Sequence, residues 1–167
     1  ELADYLTQKG RWQRAAELLR RVLEDPDSEL SPAEETVLRM QIGQLLHLTE
    51  QYDKAADYFQ RVIDSLEQRD QLADSPALKS LLLDEAGPTL NLLGESFLLA
   101  GRLDQAQRAF EEAHRANGDD GLLGYYLARV AKRREQPRKA LNHLQKYFQS
   151  KLASEGSSPY RLLAELL

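Results

Sequence analysis

The stretch LNLLGESFLLAGRLDQAQRAFEEA, from Leu90 to Ala113, decides how this chain folds. It reads as two consecutive helices joined at a turn around Gly101, with Leu103 the first apolar anchor of the second. Each helix sets a small residue, Gly94 or Ala106, among bulkier apolar ones. Glycine inside a helix costs about 1 kcal/mol relative to alanine, so close approach of a neighbouring helix must offset it. Burying Phe97 or Phe110 contributes about 1.5 to 3 kcal/mol, which outweighs that cost. Gly94 and Ala106 are therefore expected where the two helices cross, with backbones close and the flanking Leu and Phe interlocked.

Outward from this stretch the same arrangement recurs. RWQRAAELLRRV (Arg11 to Val22), QYDKAADYFQRV (Gln51 to Val62), RLDQAQRAFEEA (Arg102 to Ala113) and QPRKALNHLQKY (Gln136 to Tyr147) align on Ala15, Ala55, Ala106 and Ala140. These alanines lie 40, 51 and 34 residues apart. Helix starts repeat too. Ser31-Pro32 followed by Glu34 fits an N-cap, a proline at the first helical position and a capping box, and Ser75-Pro76 and Ser158-Pro159 repeat the first two elements.

The register carries a resemblance to a known family. Leu90, Leu93, Gly94 and Phe97, then Ala106 and Phe110, match the W, L, G, Y, A and F places of the tetratricopeptide repeat, a 34-residue helix-turn-helix unit. Ile42, Gly43 and Leu46 with Tyr52, Ala55 and Phe59 match in a second unit. Gly124, Leu127, Ala128 and Ala131 with Pro137, Ala140 and Leu144 match in a fourth. The first unit is short, keeping Ala3 and Leu6 before Gly10, Trp12, Ala15 and Leu19, and Gly118 stands where the family often has proline. The chain thus resembles a tetratricopeptide repeat protein over nearly its whole length. The resemblance implies an all-α, right-handed α-solenoid of antiparallel helix hairpins, a single domain over 1–167 with repeats near 1–30, 31–74, 75–120 and 121–154. PYRLLAELL, with Leu162, Leu163, Leu166 and Leu167 on one face, then makes 158–167 a capping helix or the start of a fifth repeat.

The spacings of 40 and 51 exceed 34, so longer helices are expected around the first two junctions. A helix is predicted from Pro76 to about Ala86. Gly87-Pro88 follows it, and an internal proline costs about 3 kcal/mol, so the segment is either a kinked long helix or a separate short one. The chain starts at Glu1 in mid-helical pattern and reads as a piece of a longer protein.

Composition excludes several functions. With 42% hydrophobic residues among 167, the chain can build a real core. A net charge of -5 disfavours a nucleic-acid partner, which needs a basic field to release phosphate counterions. No apolar run approaches 18 residues, so no membrane span is expected. The absence of cysteine removes thiol and Cys-zinc chemistry. His47, His114 and His143 form no metalloprotease-like arrangement, and no glycine-rich phosphate loop or nucleophile elbow appears. Asn117-Gly-Asp-Asp-Gly121 lacks the ligand spacing of a calcium loop and reads as a turn with a helix C-cap. No catalytic residue, cofactor or metal is expected.

The family resemblance implies instead a protein or peptide partner held on the concave surface, lined by the first helix of each hairpin. Position by position, the groove candidates are Met40, Gln44 and His47; Asn91, Glu95 and Leu98; and Tyr125, Arg129, Lys132 and Arg133. On the helix GLLGYYLARVAKRREQ, Leu123, Leu127, Val130 and Ala131 form the expected buried face. That leaves Tyr125 and three cations exposed for an acidic side chain or terminal carboxylate. Against this stand two plainer readings: a solvated helix end whose cations complement the dipole, and mutual satisfaction of Glu95 and Arg129, which occupy equivalent places in consecutive repeats. The function expected is a scaffold or adaptor binding a partner segment in the groove. Homo-oligomerisation through open solenoid ends is the alternative.

Overall fold

The computed structural model describes residues 2–67, 86–150 and 155–167. Among the described residues there are nine α-helices and no strand. The chain divides into two compact units, 1–84 and 85–167. The first contains α1 (Leu2–Gln8), α2 (Trp12–Glu24), α3 (Pro32–Leu48) and α4 (Tyr52–Glu67), each packed on the next. The second contains α5 (Ala86–Leu99), α6 (Leu103–Asn117), α7 (Asp120–Arg133), α8 (Pro137–Gln149) and α9 (Ser158–Leu166). There consecutive helices again pack, and α9 also touches α7. The helix expected from Pro76 lies outside the described residues; α5 is described from Ala86 onward with Pro88 inside it.

One turn closes all four hairpins. Five residues before each aligned alanine the backbone is left-handed: Gly10 (φ 69°), Glu50 (φ 59°), Gly101 (φ 75°) and Glu135 (φ 57°). At each, two amides fold back on the preceding helix. Gly101 N–H donates to the Leu98 carbonyl at 3.1 Å and Arg102 N–H to that of Phe97 at 2.8 Å. The equivalents, Glu135 to Lys132 and Gln136 to Ala131, are both 2.9 Å. This left-handed C-terminal motif satisfies carbonyls that the helix end would otherwise leave without partners. The aligned alanine then begins the next helix, Ala106 N–H donating to Arg102 carbonyl at 3.0 Å and Ala140 N–H to Gln136 carbonyl at 3.0 Å.

The small residues are explained by what fills their space. A Cβ on Gly94 would lie 2.5 Å from the Phe110 ring, and one on Gly43 would lie 2.5 Å from the Phe59 ring. The partner of Gly94 is thus not Ala106 but the aromatic four residues beyond it, an inserted ring in place of touching backbones. Both pairs are 16 residues apart, and the same separation in the other repeats gives Ala128 with Leu144 and Ala3 with Leu19. Where the second helix shortens its side chain from Phe to Leu, the first lengthens its own from Gly to Ala. True backbone approach occurs instead at Gly124, whose Cβ would meet the His143 carbonyl oxygen at 2.7 Å.

Caps set the remaining boundaries. Ser31 builds the expected box: its Oγ accepts the Glu34 N–H at 3.3 Å, and the Glu34 carboxylate accepts the Ser31 N–H at 2.9 Å. Gly118, left-handed at φ 70°, ends α6, and Asp119 Oδ1 accepts the Leu122 N–H at 2.9 Å to start α7. At the last helix the expectation shifts by one residue. Ser157 is the N-cap and makes no side-chain hydrogen bond, and Ser158 is the first residue inside α9, followed by Pro159.

Candidate functional site

The aligned turn fixes the rotation of each first helix, and so decides which candidates reach solvent. In the first unit Met40 is buried, Gln44 is half-buried, and half-buried His47 meets the Tyr52 ring edge-on at 5.4 Å. In the second, Asn91 and Glu95 are half-buried on α5 while Leu98 is buried; Leu99 next to it is exposed. On α7 the expected exposure of Tyr125 is overturned: its side chain is only 6% accessible. Met40, Leu98 and Tyr125 are therefore core residues, not groove contacts. For Tyr125 the reason is aromatic packing, with Tyr126 at 5.5 Å and Tyr147 of α8 at 5.7 Å. Leu123 and Leu127, expected inside, are half-exposed and line a cavity of about 420 Å3 between α7 and α8, with Gly124, His143 and Lys146. Burial there, with Lys146 and Lys139 nearby, pushes His143 below the usual imidazole range.

The cations of α7 are mostly answered from within the unit. Arg129 pairs with Glu95 of α5, 34 residues earlier, and lies over the Tyr125 and Tyr126 rings at 5.5 and 5.8 Å. Burial works against the charge of Arg129, but Glu95 more than offsets it and holds the guanidinium protonated more firmly than usual. Burial also pushes both phenols up. Lys132 pairs with Glu165 of α9, whose carboxyl it holds below the usual range. Arg133 is exposed, with no ion pair among the described residues. The pairing of Glu95 with Arg129 was legible in the sequence as an equivalent place in consecutive repeats. The part of α9 was missed, although Glu165 lies about one repeat period beyond Lys132.

Other charged groups serve the scaffold. Arg134 donates to Asp104 at 2.5 Å and to Gln107 at 2.6 Å, tying the end of α7 to α6. His114 Nε2 lies 3.3 Å from Asp120, fastening the α6–α7 turn. Among the described residues no group of three His, Asp or Glu side chains is placed to hold a metal ion, and no helix is long and apolar enough to cross a membrane.

In each unit two hairpins sharing one turn and one small-residue register, filled by Phe opposite Gly or Leu opposite Ala, define a helical repeat. Two family models, both described as tetratricopeptide repeat, match residues 1–32 and 38–65. These matches, both within residues 1–65, support a tetratricopeptide repeat protein. No curated protein matches it. Repeats of this family generally mediate protein–protein interactions, and the family is not catalytic.

Proposed function

We propose that the chain is an adaptor module that holds a segment of another protein against the first helices of its hairpins. The observation that carries this reading is a repeated exposure. Seven residues before the aligned alanine, α3 presents Leu48 at 52% accessibility and α5 presents Leu99 at 40%. The same place holds exposed Gln8 on α1 and exposed Arg133 on α7. A singly exposed aliphatic side chain is ordinary on a protein surface, but its recurrence at one register position of two first helices supports a partner contact there. With Arg129 and Lys132 already paired, the segment recognised is amphipathic rather than strongly acidic. It sets aliphatic side chains against Leu48 or Leu99 and carries few carboxylates, placed for Arg133 or, by displacing Glu165, for Lys132.

A photo-crosslinking amino acid placed at Gln44, Asn91 or Arg133 in the native host tests this. Controls on second helices go at Lys54 and Arg108. Within each unit, first-helix positions are expected to trap a partner peptide; equal trapping at the controls would refute the groove. A second reading, pairing of two copies through the first hairpin, is favoured by the exposure of Leu2, Tyr5, Trp12 and Val22. Light scattering over a concentration series separates the two, since a mass constant with concentration excludes self-association.

A further inference from the structure

The most informative contact outside the repeats is the seat of α9. This helix is held by three dissimilar contacts: Tyr160 against the Phe148 ring at 5.1 Å, Leu162 in the core, and Glu165 on Lys132. Lys132 is a groove-register position of α7, so α9 already supplies the carboxylate that a bound segment would offer it. The fit is incomplete. A cavity of about 320 Å3 remains between α8 and α9, lined by Leu141, Leu144, Phe148 and Leu163. Tyr160 stays 63% accessible and Leu167 91%, and only Pro159 and Leu162 of the helix are buried. A nine-residue helix has little stability of its own, so its order depends on these contacts.

We infer that the face of α7 and α8 under α9 is a receptor for an amphipathic helix of a partner protein, and that α9 is its intramolecular, poorly filling occupant. The inference rests on the adaptor reading and specifies its ligand. The partner helix carries a leucine in the place of Leu162, a carboxylate three residues later in the place of Glu165, and a bulkier apolar residue in the place of Leu163. That bulk enters the cavity α9 leaves open. Because α9 is tethered close to α8, it competes at the millimolar effective concentration typical of short connections. A partner must displace it, which makes α9 a threshold against weak ligands.

The test uses the full chain and a fluorescein-labelled peptide of residues 155–167, followed by anisotropy. Glu165→Lys in the chain, with helicity checked by circular dichroism, loosens the internal occupant by setting two cations together. This variant is expected to bind the peptide about tenfold more tightly than the unaltered chain does. Leu162→Ala in the chain provides a second loosened form should the charge reversal disturb folding. Placing Lys132→Glu in the Leu162→Ala chain should abolish binding, and a peptide carrying Glu165→Lys should restore it. A peptide carrying Leu163→Phe should bind at least about threefold more tightly than the parent, by filling the cavity. No saturable binding to either loosened and folded chain, or binding indifferent to Lys132→Glu, overturns the inference. So does a dimer of the unaltered chain in sedimentation that Glu165→Lys dissolves, since α9 would then be exchanged between copies. The adaptor reading survives those failures if Gln44 and Asn91 still trap a partner.

Discussion

Replacing Gly94 by Ala sets two well-characterised effects against each other. Helix propensity alone favours the change by about 1 kcal/mol. Packing opposes it, because the new Cβ would lie 2.5, 2.6 and 2.9 Å from three atoms of the Phe110 ring. That ring has no retreat: it is 1% accessible and stacked parallel to Tyr126 at 4.4 Å. Overpacking of a core costs about 1 to 3 kcal/mol, so Gly94→Ala is expected to destabilise by about 1 kcal/mol despite its propensity. Phe110→Leu alone removes buried ring atoms and leaves a cavity, costing about 1 to 2 kcal/mol. The double variant recreates the Ala128 and Leu144 arrangement of the neighbouring hairpin, and should be no less stable than Phe110→Leu. The pair therefore couples favourably by about 1 to 2 kcal/mol, within the range for residues in contact. Urea unfolding of the four proteins, followed by far-ultraviolet circular dichroism, measures the cycle. Stabilisation by Gly94→Ala, or additivity of the two changes, would show that volume exchange across the crossing does not set these residues.

The shared turn predicts opposite effects at its four copies. Glu135→Gly and Glu50→Gly should each raise stability by about 0.5 to 1 kcal/mol by relieving a left-handed backbone. Gly101→Ala should lower it although no atom lies within 4 Å of the new Cβ, and thermal melts distinguish the two signs. Ser31→Ala removes the cap and one arm of the box on α3 and should cost about 1 kcal/mol in urea unfolding. Glu95→Ala leaves a largely buried guanidinium without its carboxylate; with both side chains partly exposed, the cost should be about 1 kcal/mol, and Arg129→Met should recover part of it. Acid should loosen α9. The Glu165 carboxyl is held below its usual 4.5 by Lys132, so its contribution is present above that value and lost as the pH falls through the folded-state value. The melting difference between the unaltered chain and Glu165→Gln should accordingly be positive at neutral pH and vanish in acid.

The hairpins were legible because their signals are local and physical. A glycine can be recognised as a turn, so Gly10 and Gly101 marked two of the four junctions. Glu50 and Glu135 hold the same left-handed geometry yet carry no turn propensity, and only alignment on Ala55 and Ala140 located them. There the packing of two helices imposes the backbone, and the residue tolerates it. Gly94 and Ala106 were correctly placed in the core, but sequence spacing could not say that Gly94 faces a ring. That fact depends on the direction in which Phe110 leaves its helix. The one-residue shift at Ser158 left no local signal, because a Ser-Pro pair reads the same whether its serine stands before the helix, as at Ser31, or inside it, as at Ser158.

The candidate site was less legible because repeat register assigns a residue to a face, whereas exposure depends on what the next helix brings. Leu98 and Leu99 are neighbours, and only a rotation of a helix by one residue separates core from surface. Tyr125 and Arg129 share a stripe, but the stripe curls under at Tyr125 because α8 offers Tyr147 to pack against. Charge was harder still. Read along one helix, Arg129, Lys132 and Arg133 are a basic patch; read across α5, α7 and α9, two of the three are neutralised by Glu95 and Glu165. A pair bridging helices one repeat apart fixes their spacing and removes a charge from the groove in the same contact. Within the second unit, what stays exposed on the first helices is thus Leu99 and Arg133, and Lys132 joins them only when Glu165 leaves it.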